Sequence, residues 1–96
     1  MTHYVLMKYQ PGFFDEACFQ EISAAFAQLK DALPEEILQV RIYKNCIERE
    51  FNMDIMIELE LSRAESLGIY LNHPIHLAIS GKINPFVINR VSFDHE

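Results

Sequence analysis

The run from Phe51 to Leu61 puts Phe51, Met53, Ile55, Ile57, Leu59 and Leu61 on alternate positions, with Asn52, Asp54, Met56, Glu58 and Glu60 between them. Successive side chains of a strand point to opposite faces, so this spacing reads as a strand with one apolar and one largely polar face. A slip of one residue would turn both glutamates into the core, which pins the register. The rest of the chain has to supply a cover for that single apolar face.

From Asp15 to Leu33 the positions Cys18, Ile22, Ala25, Phe26, Leu29 and Leu33 recur at spacings of three and four. That is an amphipathic helix with acidic residues in its first turn, where the dipole favours them, and Pro34 stops it. Ahead of it, Thr2 to Tyr9 alternates His3, Val5, Met7 and Tyr9 with Tyr4, Leu6 and Lys8, a strand with two usable faces that breaks at Pro11-Gly12. Behind it, Ile37 to Tyr43 sets Leu38, Val40 and Ile42 against Gln39, Arg41 and Tyr43 as a second strand, and Lys44 to Asn52 is a polar loop.

After the Phe51–Leu61 strand, Ser62 and Glu65 form a capping-box pattern that opens a short helix carrying Ala64, Leu67, Tyr70 and Leu71, with Asn72 at its end. His73 is placed to cap a further helix with Pro74 at its first position, which puts His76 in the first turn. Asn84-Pro85 interrupts that helix, Pro85 starting a final turn through Ile88. Arg90 to His95 is the expected last strand, with Val91 and Phe93 inward.

The order β-α-β-β-α-β, its second helical segment split in two, predicts a ferredoxin-like α+β fold: a four-stranded antiparallel sheet with helices on one face. At 96 residues the chain fits one domain, able to bury about 63–65% of the surface of its unfolded form. Large side chains stand on both sides of the first strand, so the uncovered sheet face is expected to bury itself against a second sheet.

Charge narrows the partners. The net charge is −6 and the eight Lys and Arg are scattered, which argues against nucleic acid and against anionic membrane surfaces, both of which need clustered positive charge. No apolar run reaches the ~18 residues of a transmembrane helix, and the N-terminus lacks the order of a signal peptide, so a cytoplasmic protein is expected. Cys18 and Cys46 lie far apart with no metal or redox spacing around them; Cys18 reads as a small core residue and Cys46 as a loop thiol.

The polar rings gather in Tyr70-Leu71-Asn72-His73-Pro74-Ile75-His76, with His3 on the first strand. His76, near the positive end of its helix, is expected to stay neutral at pH 7 and able to accept a proton. Tyr70, six positions earlier across the turn, is placed to donate toward a developing enolate or alkoxide. The same pair could instead tie helix to helix through a structural hydrogen bond. His3 and His73 are candidate ligand-binding groups, although capping alone accounts for His73. A metal at His73 and His76 would need a third ligand, and neither Asp54 nor Glu58 can be brought there by spacing, so no metal and no cofactor is expected.

The opening His3-Tyr4-Val5-Leu6-Met7-Lys8-Tyr9 with Pro11-Gly12, the block Tyr70 to His76, and Asn84-Pro85-Phe86-Val87 before Arg90-Val91 and Asp94 together resemble the stress-responsive A/B barrel (Dabb) family over nearly the whole chain. The His-Pro-x-His block at a helix start, combined with a histidine near the start of the first strand, carries most of the resemblance. It implies a homodimer whose two sheets face each other as a barrel with the helices outside. Members include plant stress-stable proteins, bacterial proteins without assigned chemistry, and the plant polyketide cyclase that makes olivetolic acid. The cyclase's acid–base histidine and tyrosine match His76 and Tyr70, and a further pocket histidine matches His3. Where the family often has Pro-Gly after the first helix, this chain has Pro34-Glu35-Glu36. The resemblance therefore implies a small-molecule pocket near Tyr70 and His76, with an acid–base enzyme of the cyclase type as the alternative. Relatives of the same barrel architecture add a cofactor-free monooxygenase as a further option.

Overall fold

The computed structural model describes residues 1–96. Its elements run β1 (Thr2–Tyr9), α1 (Glu16–Ala32), β2 (Ile37–Lys44), β3 (Ile55–Leu61), α2 (Ser66–Leu71), α3 (Pro74–Ile83), a 3-10 turn at Asn84–Phe86 and β4 (Val87–His95). The four strands form one antiparallel sheet in the order β2-β3-β1-β4. All helices pack on one face, so the architecture is the ferredoxin-like α+β arrangement expected from the element order.

The core is a single apolar layer between that sheet face and the helices. Ile55, Ile57, Leu59 and Leu61 of β3 and Met7 and Tyr9 of β1 meet Ile22, Phe26 and Leu29 of α1, all buried. Asp15 starts α1 by accepting a hydrogen bond from the Cys18 amide at 2.8 Å, one of the free donors at a helix start. The turn after β1 uses Gly12 at φ 86°, a conformation that an added side chain would strain.

Five expectations are corrected by local structure. The strand begins at Ile55 rather than Phe51: Phe51 is 82% exposed, because Asn52 donates its amide to the Asn45 side chain and the Ile47 carbonyl and so closes a loop. In β2 a bulge between Ile37 and Gln39 sends Ile37 into the core and leaves Leu38 52% exposed, since an extra residue reverses the alternation on its far side. The Ser62–Glu65 box does not form. The helix starts at Ser66, with no side-chain cap from Glu65, because the buried Ser66 hydroxyl is held by the Glu36 carboxylate, with Ser62 3.1 Å away. The final turn ends at Phe86 instead of Ile88, and the last strand starts at Val87.

The fifth correction concerns the sense of β4. Its pairing sets Val91 opposite Leu6 and Phe93 opposite Tyr4, so Val91 and Phe93 stand on the helix-free face. Arg90, Ser92 and Asp94 take the helix side, opposite Met7, Val5 and His3. The open face then carries Tyr4, Leu6, Tyr43, Met56, Val91 and Phe93, interrupted by the Arg41–Glu58 ion pair at 2.6 Å.

Truncating the core should be costly and trimming the loop should not. Leu59→Ala, at a fully buried site, is expected to lose about 2–5 kcal/mol in urea unfolding. Phe51→Ser is expected to stay within about 0.5 kcal/mol of wild type. Equal losses from the two would contradict the placement of the strand start.

Candidate functional site

The junction between α2 and α3 builds the site out of unsatisfied backbone groups. The last carbonyls of α2 and the first amides of α3 have no partners within their helices. Asn72 folds its side-chain amide back on the Gly68 carbonyl at 2.8 Å. His73 caps α3, its Nδ1 accepting from the Ile75 amide at 3.1 Å with Pro74 next in line. His76 reaches back across the junction and donates Nδ1–H to the Leu71 carbonyl at 2.9 Å.

That last bond sets the chemistry of His76. A carbonyl only accepts, so the proton sits on Nδ1 and the lone pair of the neutral ring is on Nε2. Nε2 faces the Ser80 hydroxyl at 3.4 Å. Burial holds the His76 pKa below its ordinary value, helped by the positive charge of Arg90 and by the neighbouring His3, while the Leu71 hydrogen bond opposes the shift. The helix dipole predicts neutrality from the sequence; in the structure partial burial of the ring is the first cause.

Tyr70 is buried at the end of α2. Its ring meets the edge of His76 at 4.7 Å between centroids and 67°, with His3 at 5.9 Å and Phe26 at 6.0 Å. Burial raises the Tyr70 pKa, with Arg90 opposing, so the phenol keeps its proton as a donor. Tyr70 and His76 therefore touch as rings, and the hydrogen bond between them that the sequence left open is replaced by an edge-to-face contact.

His3 sits behind Tyr70 on β1, 5% exposed. Its Nδ1 is bound to the Asp94 carboxylate of β4, and its Nε2 is sealed from solvent without a hydrogen-bond partner.

Between the sheet and α3 lies a cavity of about 100 Å³. Val5, Met7, Phe26, Ile57, Ile79 and Ile83 make its apolar walls, and Tyr70, His76, Ser80 and Arg90 supply its polar groups. Of the four residues singled out from the sequence, Tyr70 and His76 line the cavity, His3 backs onto Tyr70, and His73 stays outside, engaged as a cap. No three His, Cys, Asp or Glu side chains converge as metal ligands.

Ser80, Arg90 and Asp94 were missed as site residues. The signal was present on β4, where Arg90, Ser92 and Asp94 share one parity. Taking Val91 and Phe93 as inward turned that polar row toward solvent, whereas it faces the helices.

Sheet order, one-sided helices and a pocket beneath the second helical segment define a ferredoxin-like α+β domain with an open sheet face. The chain belongs to the stress-responsive A/B barrel (Dabb) family, whose model matches residues 1–96. Among solved structures it is similar to a dimeric ferredoxin-like protein of unknown function from Thermobifida fusca, at 21% identity over 96% of this chain and 85% of that one, with TM-score 0.77. It is also similar to a hydroxynitrile lyase from Passiflora edulis, at 14% identity over 98% and 89%, TM-score 0.77. A Dabb family protein from Mesorhizobium loti matches at 15% identity over 99% and 93%, TM-score 0.67. No curated protein matches in sequence. At these identities the likeness shows the fold, and no helix of the chain is long and apolar enough to cross a membrane.

The depressed pKa of His76 has a signed consequence. The unfolded chain binds more protons than the folded one between the folded pKa and the ordinary value of 6.5. Stability from this group is therefore complete above 6.5 and is lost as pH falls through the folded value. In urea titrations wild type is expected to lose more stability on acidification than His76→Gln, and an NMR titration of the ring should have its midpoint below 6.5. Identical acid sensitivity of the two proteins would contradict the half-buried neutral ring.

Proposed function

We propose that the chain is a homodimeric small-molecule-binding protein whose pocket lies at Tyr70 and His76. The observation that carries this reading is the cavity of about 100 Å³ that contains a neutral imidazole of defined tautomer beside a buried phenol. Ligand sites are concave and mainly apolar with a few oriented polar groups, and this cavity has that composition. Dimerisation uses the helix-free sheet face, where Val91 is 46% and Phe93 64% exposed. A patch of this kind favours burial in an interface, and the Thermobifida protein and a relative from Bacteroides fragilis are both described as dimeric. Cys18 and Cys46 are free thiols, in keeping with a reducing compartment such as the cytoplasm.

A second reading is favoured by His76 itself. A ring that donates Nδ1–H to a fixed carbonyl and keeps its Nε2 lone pair on the cavity wall is arranged as a general base. It would take a proton from a carbon or hydroxyl of the ligand while the Tyr70 O–H supports the oxygen that gains charge. A lyase occurs among the structural neighbours, which supports chemistry of this class without assigning its substrate.

Two measurements test these readings. Light scattering at micromolar concentration should give a dimer mass for wild type and a monomer mass for Phe93→Lys; a monomeric wild type would rule out the interface. For the second reading, exchange of α-protons of 2-butanone in D₂O, followed by NMR, should be accelerated by wild type and fall by roughly 10²–10⁴-fold in His76→Gln. No acceleration by wild type would leave a binding pocket and remove the base.

A further inference from the structure

One permanent charge lines the cavity, that of the partly solvent-exposed Arg90, and no acidic side chain pairs with it. Arg90 stands on β4 opposite Met7, and its Nη2 is held by the Asn84 side-chain oxygen and lies 3.6 Å from the Met7 sulfur. Both partners are neutral, so they orient the guanidinium without cancelling its charge. Arg41, Lys44, Arg63 and Lys82 each pair with a glutamate; Lys8, Lys30, Arg49 and Arg90 pair with none, and of these four Arg90 alone lines the cavity. The cavity lining contains no Asp or Glu. Asp94, on the same side of β4, is four residues away, about 13 Å along an extended strand, and is taken by His3.

We propose that Arg90 commits this cavity to a small carboxylate, gripped by the free edge of the guanidinium with its short apolar body against Val5, Ile79 and Ile83. This rests on the pocket reading above and adds the class of ligand. A guanidinium matches a carboxylate in planar, two-point geometry. The size of the cavity limits the body: about 100 Å³ is less than the ~150 Å³ of an engineered cavity that holds benzene. The apolar walls disfavour a phosphate, whose oxygens would need donors on every side, whereas here donors are confined to Arg90, Ser80 and Tyr70. An acid of a few carbons fits both the charge and the volume, and the Tyr70 phenol and His76 Nε2 would then face the carbon next to the carboxylate or a substituent on it.

The test uses isobutyrate and its neutral isostere isobutyramide, titrated into the full-length protein and followed through the His76 and Tyr70 ring signals by NMR. Wild type is expected to bind the acid roughly tenfold or more tighter than the amide, the worth of a charge-assisted hydrogen bond, and added salt should narrow the gap. Arg90→Met should bring the two within about twofold of each other, with an unchanged near-UV circular dichroism spectrum and urea midpoint certifying the fold. Equal binding of acid and amide by wild type, or a preference that survives in Arg90→Met, would overturn the role of Arg90 and leave the pocket standing. Shifts from neither compound would overturn the pocket reading and the carboxylate with it.

Discussion

One sheet face pressed against α1 holds this protein together. β3 supplies Ile55, Ile57, Leu59 and Leu61 to that layer, β1 supplies Met7 and Tyr9, and α1 answers with Ile22, Phe26 and Leu29. A chain of this length has little apolar surface to spare, and a single layer is what it can fill. The layer also fixes where a cavity can exist. α1 packs beside β2 and against α3, and the space between Phe26 on one helix and Ile79 and Ile83 on the other is where the packing opens.

The α2–α3 junction turns a structural necessity into chemistry. Two helices that meet end to end leave carbonyls and amides without partners, and a buried helix end needs them satisfied. His73 answers an amide and His76 answers a carbonyl. For His73 that answer occupies the capping nitrogen and leaves the side chain away from the cavity. For His76 it fixes the tautomer and leaves the other nitrogen on the cavity wall, so one hydrogen bond both closes the helix junction and orients the ring. Tyr70, wedged between His3, Phe26 and His76, is held by ring contacts alone, which orients the phenol without spending its hydroxyl.

The opposite sheet face has the reverse design. Its apolar groups sit mainly on β1, β4 and the far end of β2, while Arg41 and Glu58 pair across β2 and β3. A face with large rings at its edge strand and an ion pair within it suits a partner that adds apolar contact and leaves that pair satisfied. The two faces therefore differ: the covered one makes the core and the cavity, and the open one presents exposed apolar side chains around a single ion pair.

Period and capping made much of this legible in the sequence. The alternation of Ile55 to Leu61, the three-and-four spacing of Ile22 to Leu29, and Pro34 and Pro74 as helix punctuation depend only on neighbours along the chain, and those elements stand where they were expected. The same local rules brought out Tyr70 and His76. They failed where a distant residue overrode a near one. Glu36 took Ser66 and moved a helix start, the Asn45–Asn52 contact drew Phe51 out of its strand, and the β2 bulge exposed Leu38. They failed also on β4, whose two faces differ only in which neighbour lies above them: apolar Val91 and Phe93 turned away from the helices because pairing with Leu6 and Tyr4 required it. Sequence by itself determined the element order, the one-sided sheet and the two rings at the helix junction, since each is written in short-range periodicity. Tertiary structure alone decided that Asp94 meets His3 and that Arg90 lines the cavity with no acid paired to it, because strand register and long-range pairing have no signature in the spacing of the residues they bring together.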